Sequence, residues 1–423
     1  MDSICGMLHA PVQEWDGLIC TSTAVKENVV RLLQGQLDEI ALRFGATKFV
    51  LPQMPVIPLG VHESDFSFTA EDRARARSQL EIEADEIVVL YMGRLSFHAK
   101  AHPLAMYQAL ELAARRTDTR PRLIECGWFA NDFIETSFKE AAAVFSPSVK
   151  VTHLDGRVQN NKRIAWACAD IFCSLSDNIQ ETFGITPIEA MASGLPSVVS
   201  DWNGYKDTVR QGLDGFRVKT TQPPNGLGGD LSVAHALGID SYDRYCGYTS
   251  SLVAVDVGEA AKAFETLIRS PHLRREFGQN ARQRARDTFE WRTIIPQYET
   301  FWSELKARRP KESTKGWPAR PDPFWAFAHY ATHILQPEHA VALVDGSEQE
   351  AQQKLNTLLK LEMVKFAAKV IPQQSELLQV LTSLANGPST VAALLSQFEA
   401  TRQPYIHRGL CWMLKMNLLT RQT

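Results

Sequence analysis

From residue 86 the chain alternates short apolar runs with longer stretches of helical spacing. The runs fall at IVVLYMG (87–93), RLIECG (122–127), VKVTHL (149–154), DIFCSL (170–175) and PSVVS (196–200). Between them lie segments such as PLAMYQALELAARRT (103–117), which reads as an amphipathic helix. Short strands alternating with helices predict βαβ units and a parallel sheet. Right-handed crossovers then give a doubly wound, Rossmann-like domain of roughly 150–200 residues.

The flanks follow other rhythms. GLICTSTAVKENVVRLL (17–33) reads as a short buried strand, a Thr/Ser cap and an amphipathic helix. FVLPQMPVIPLGV (49–61) is strand-like and punctuated by proline. Residues 220–250, rich in Gly, Pro and Tyr, read as a loop inserted at the domain edge, and helical patterning resumes over 257–307. The charged, Pro-rich stretch 308–323 reads as a linker, followed by a helical module with amphipathic segments near 347–369 and 375–386.

Composition narrows the class. Of 423 residues, 44% are hydrophobic and 22% charged, as in an ordinary soluble globular protein. A net charge of −3 predicts no strong attraction to nucleic acid or to anionic membrane. The seven cysteines are scattered without a C-x-x-C pair, against a disulfide framework or zinc site and for a reducing compartment. MDSICGMLHAPVQEW has neither the basic start nor the apolar core of a signal peptide, and no apolar run approaches the ~20 residues that span a bilayer. A cytoplasmic protein is expected.

The candidate chemistry sits where the strands end. In doubly wound sheets, ligands bind beyond the carboxyl ends of the strands, against helix N-termini. Glu181 lies just past DIFCSL, and a helix starting near Ile185 or Thr186 carries Glu189 within its first two turns. The backbone N–H groups of Gly184, Ile185 and Thr186 would offer a seat for a phosphate, with Gly184 permitting close approach. Glu189 could grip vicinal hydroxyls such as those of a ribose, and Glu181 hydroxyls of a second group joined through the phosphates. Arg94 and Lys100, on the loop MGRLSFHAKAHP after the first strand, form a suitable clamp for a diphosphate. Capped-helix carboxylates and ordinary surface cations are the plain alternatives. His98 and His102 lack partners at metal-ligand spacing, and Tyr242, Tyr245 and Tyr248 read as local packing.

Taken together, ETFGITPIEAMASGLP with its E-x7-E spacing, SDWNGYKDTVRQGLDGF and the upstream GRLSFHAK resemble the donor-binding half of a GT-B glycosyltransferase. The family is the large retaining one numbered four, the glycosyl transferases group 1 type, and the likeness runs from about residue 17 to 307. It implies an α/β fold with these parts: 1–66, a remnant of the acceptor-side domain; 67–307, the nucleotide-sugar-binding domain; 308–323, a linker; 324–423, an all-α, winged-helix-like module. It also implies catalytic roles for Glu181, Arg94 and Lys100. Donor contacts fall to Gly93, Arg94, Lys100, Glu181, Phe183, Gly184, Ile185, Thr186 and Glu189, and HLDGRV (153–158) would border the nucleobase. No metal or cofactor is implied; the nucleotide sugar is a co-substrate and no D-x-D motif is present.

Relatives place a second Rossmann-like domain before the stretch VIPLGVHESDF (56–66), whereas only about 60 residues precede it here, and Leu59 and His62 stand where relatives often have Asn and Asp. Either the chain starts inside that domain or another polypeptide supplies the rest. The leading expectation is a glycosyltransferase acting with retention on an unknown saccharide, lipid or protein acceptor. The rivals are a nucleotide-sugar-binding protein without turnover and a DNA-binding regulator. In the tail, Arg402, His407, Arg408 and Lys415 make only a modest basic patch, which favours a protein-docking role for 324–423 over nucleic-acid binding. Trp412 and Met413 read as core.

Overall fold

A computed structural model of the protein describes residues 2–10, 12–310, 321–344 and 346–422. The stretch read as a linker lies largely outside them. The chain forms two compact units, one reaching Gly316 and the other beginning at Trp317.

The larger unit is built on six parallel strands, β1 (Val88–Met92), β2 (Arg122–Gly127), β3 (Lys150–Asp155), β4 (Ile171–Ser174), β5 (Ser197–Ser200) and β6 (Gly215–Val218). Their spatial order is β3-β2-β1-β4-β5-β6, a doubly wound Rossmann-like arrangement whose switch point lies between β1 and β4. β1 and β2 are buried along their whole length, which is why β1 appears as a continuous apolar run. Two charges inside β2 are partnered. Arg122, 2% exposed, donates to the carbonyls of Leu80 and Glu81 and pairs with Glu86 at 3.0 Å. Glu125 accepts from the Tyr107 hydroxyl at 2.9 Å and faces His153 at 2.8 Å.

Helices cover both faces. On one, Leu104–Thr117 and Val257–Arg269 meet through small residues (Ala109, Ala113, Ala260, Ala261) and enclose Leu110 and Phe264. On the other, Ala70–Gln79 packs with α2 (Gln159–Cys168), around Trp166 and Phe172. Pro271–Arg284 returns across the sheet to α3 (Ile185–Ala192), where Ile188 and Met191 meet Ala281 and Phe289.

Near the start of the chain, residues 17–20 and 53–56 touch only through isolated parallel bridges, not a full strand pair. Between them runs the helix α1 (Thr23–Phe44), capped by Ser22, whose side chain accepts from Val25 N–H. The 220–250 stretch is not the loop its composition suggests. It carries two helices, Gly229–Ala236 and Tyr242–Ser250, between an antiparallel pair of two-residue strands. Gly and Pro are concentrated at its start, Ser241 caps the second helix, and the rings of His235 and Tyr245 stack at 5.1 Å.

The smaller unit is not all-α. Ala340–Leu343 forms the centre of a three-stranded antiparallel sheet, flanked by Ser389–Thr390 and Leu419–Arg421. These strands are too short for their alternation to register in the sequence. Helices Glu348–Leu358, Gln374–Ser383 and Gln403–Lys415 enclose a core of Leu355, Leu381, Leu410, Trp412 and Met413. No described helix is long and apolar enough to cross a membrane.

Candidate functional site

The loops after β1 and β4 leave the sheet on either side of the switch point, and buried polar groups fasten them together. Asn178 Nδ2 donates to the His98 carbonyl at 2.8 Å, and Ser176 Oγ to that of Lys100 at 3.2 Å. His102 N–H donates to Asp177 at 3.3 Å. The β5 side joins through Ser200 Oγ to the Ser176 carbonyl and Trp202 Nε1 to that of Asn178. Such a fully bonded polar loop is stiff. It fixes Glu181, only 8% exposed, opposite Lys100 with Nζ to Oε2 of 2.5 Å. The Tyr205 hydroxyl donates to the same carboxylate at 3.2 Å and lies 2.7 Å from Ser174 Oγ.

The turn from Glu181 into α3 depends on Gly184. Its φ is +83°, and a Cβ there would stand 2.0 Å from the Tyr205 ring. No side chain caps α3 at Gly184. The same turn is tied to the start of α1 by Ser22 Oγ, which donates to the Thr182 carbonyl at 2.7 Å, and Thr23 N–H donates to Asp207, beyond β5, at 2.6 Å.

Beside this loop opens a cavity of about 700 Å³ whose lining includes Gly93, Gly127, Lys162, Trp166, Thr186 and Glu189. The Thr186 hydroxyl is buried with no hydrogen-bond partner among the described residues. Burial pushes the Glu189 carboxyl up to about 7, with Lys162 opposing the shift. Asp177, behind the loop, is likewise pushed up to about 7 by burial, the His102 N–H opposing. Burial also lowers His102.

Of the residues singled out in the sequence, Gly93, Ile185, Thr186 and Glu189 line the cavity, whereas Arg94, Lys100, Glu181, Phe183 and Gly184 do not. Lys100 and Glu181 are spent on each other. Arg94 Nη2 donates to the Ala99 carbonyl at 2.8 Å and so staples its own loop. Phe183 is buried against Phe289. Sequence reasoning missed Lys162 and Trp166. They stand i and i+4 on α2, on one face of the helix after β3.

Residues 72–225 match the family model of the glycosyl transferases group 1. Among curated proteins, the D-inositol 3-phosphate glycosyltransferase of Nocardia farcinica is 28% identical over 200 residues, covering 45% of this chain and 44% of that protein. The enzyme of the same name from Mycobacteroides abscessus is 30% identical over 154 residues, 36% of this chain and 33% of that one. The chain thus spans less than half the length of these two relatives. A solved structure of Anabaena Alr3699/HepE in complex with UDP aligns at 18% identity and a TM-score of 0.48, over 68% of this chain and 64% of that one. The family likeness rests on the sequence matches alone. Over residues 72–225, the chain is thus similar to the glycosyl transferases group 1 family.

Proposed function

We propose that the larger unit binds a nucleotide sugar and that the protein transfers its sugar, with retention of configuration, to an acceptor. The observation that carries this reading is the cavity at the switch point, where Glu189 and the unpartnered Thr186 hydroxyl meet the start of α3. In this reading Glu189 accepts from the ribose hydroxyls. The first N–H groups of α3, from Ile185 and Thr186, hold phosphate oxygens with the favourable end of the helix dipole. Gly93 lets the diphosphate pass close to the β1 loop.

Lys100 and Arg94 then supply the cations. The leaving nucleoside diphosphate gains charge as the glycosidic bond breaks, and an oxocarbenium-like transition state follows. Lys100 exchanges Glu181 for the diphosphate, which frees Glu181 to accept from hydroxyls of the donor sugar. Arg94 exchanges the Ala99 carbonyl for a phosphate oxygen. Removing one such donor in a dry site costs on the order of 100-fold or more in rate.

Calorimetry with UDP and GDP tests the binding step. Glu189→Ala is expected to weaken nucleotide affinity at least tenfold, and Lys100→Ala to weaken diphosphates more than the matching nucleosides. Unchanged affinities in both variants would overturn the site. Turnover is read separately, as release of UDP or GDP from the donor sugar with and without D-inositol 3-phosphate, the acceptor named in the relatives. Binding without turnover supports the binding-only alternative. DNA reading is not favoured: Arg402 is held by Glu376 at 2.7 Å, and both Arg402 and Arg408 lie over the Tyr405 ring.

A further inference from the structure

The smaller unit carries a projection whose apolar tip and charge match a different kind of surface. After the helix Glu348–Leu358 the chain makes a compact excursion over residues 359–371, with one short helix, Glu362–Lys365. Val364, Ala367 and Ile371 turn inward onto the unit's core. Met363, Phe366 and Val370, each one position earlier in the same i, i+3, i+7 spacing, are left in solvent with Leu361. Met363 is 83% exposed and Phe366 93%. Side chains of this size are seldom displayed so fully, and grouped display marks an interaction site.

The charges around that tip decide what it fits. Lys360, Lys365 and Lys369 are all exposed, and Glu362 is the one acid within 360–370. Lys365 pairs with Glu362, but both are solvated, so the pair contributes little. Other apolar displays have other settings: Phe324, Phe327 and Tyr330 are exposed beside Asp322 with no lysine or arginine over 321–336, and a further display flanks the larger unit's helix Gly229–Ala236. Leu227, Val233, Leu237 and Ile239 are exposed there beside Asp230, Asp240 and Asp243. A bilayer bearing anionic lipid repels that surface and attracts the lysine-ringed one.

We propose that residues 360–370 form a docking surface for an anionic lipid bilayer, Met363 and Phe366 entering the headgroup boundary while the three lysines meet lipid phosphates and carboxylates. An apolar face flanked by lysines is the design of helices that lie in a membrane interface. The whole chain's net charge of −3 hides this local excess. The proposal is independent of the nucleotide-sugar reading.

Co-sedimentation of the full chain with vesicles of phosphatidylcholine alone, or of phosphatidylcholine with 30% phosphatidylserine, tests it. Each net positive charge near an anionic surface adds roughly fivefold to binding, so three lysines less Glu362 give on the order of a 25-fold preference for the serine-containing vesicles, declining with added salt. The double variant Met363→Asp/Phe366→Asp and the triple variant Lys360→Glu/Lys365→Glu/Lys369→Glu should each lower binding at least tenfold. All five positions are exposed, so circular dichroism should show both variants folded. Equal binding to both vesicle types, or variants that bind like the parent, would overturn the proposal. So would a parent that ignores vesicles but forms a dimer lost in the double variant, since the tip would then be a protein contact.

Discussion

Glu189 and Asp177 are carboxyls of nearly equal acidity that play opposed parts. Burial pushes both up to about 7, so each is partly protonated at neutral pH. If Glu189 accepts from ribose hydroxyls, nucleotide prefers the carboxylate, and affinity must fall as pH drops through 7 by up to about tenfold per unit. Titrating UDP by calorimetry at pH 6, 7 and 8 should show that loss. Glu189→Gln should bind more weakly at pH 8 and lack this component; the titration of the nucleotide's own phosphate is common to both proteins and cancels. Asp177 instead affects stability. Its folded pKa is raised, so its contribution is fully present below the unfolded value near 4 and is lost as pH rises through 7. Asp177→Asn keeps an acceptor for the His102 N–H while removing the charge. Urea midpoints should therefore coincide near pH 4, and the variant should gain up to roughly 4 kcal/mol at pH 8. Equal midpoints at pH 8 would show that the loop already solvates the charge.

At the scale of elements, the start of α3 is where three segments are forced into register. Gly184→Ala places a methyl group in the Tyr205 ring at a φ of +83°, so the turn must open or Tyr205 must move off Glu181. A loss of about 2–4 kcal/mol in a chemical melt is expected, with weaker nucleotide binding by calorimetry. Ser22→Ala removes both the cap of α1 and the bond to the Thr182 carbonyl, for about 1–2 kcal/mol in a chemical melt. Four of the six strands, β1, β2, β4 and β5, were legible because they are buried along their whole length, and β3, a partly buried edge strand, because Val149, Val151 and Leu154 still mark its run. β6, reading GFRV, escaped because Gly215 and Arg217 break its run. The placement of Glu181 and Glu189 on either side of the turn into α3 was legible because that turn is local in sequence. What Lys100 and Arg94 do without ligand was not, since it depends on Glu181, 81 residues away, and on a carbonyl that only the folded loop presents. Lys162 and Trp166 were missed for the same reason: nothing local marks a helix face that borders a cavity.

Across the whole molecule, the two units have separate apolar cores. One is arrayed about the parallel sheet, and the other is enclosed by Val341, Leu355, Leu381, Leu410 and Met413. Separate cores predict separate cooperative transitions. A nucleotide that binds at the switch point stabilises only the unit that contains it. Nucleotide at a hundred times its dissociation constant adds about 2.7 kcal/mol to the larger unit. With some 316 residues in that unit, an unfolding entropy near 2.1 cal/mol/K per residue converts the gain to a shift of about 4 °C. Calorimetric scans with and without UDP should show one transition moving and the other still. Leu410→Ala identifies the still one, because a cavity in the smaller core costs roughly 2–5 kcal/mol and lowers that transition alone. If UDP moved both transitions equally in the parent while Leu410→Ala also lowered both, the units would be melting as one cooperative body. A ligand shift could then no longer be assigned to the switch point, and the pH dependence of binding set by Glu189 would have to locate the nucleotide instead.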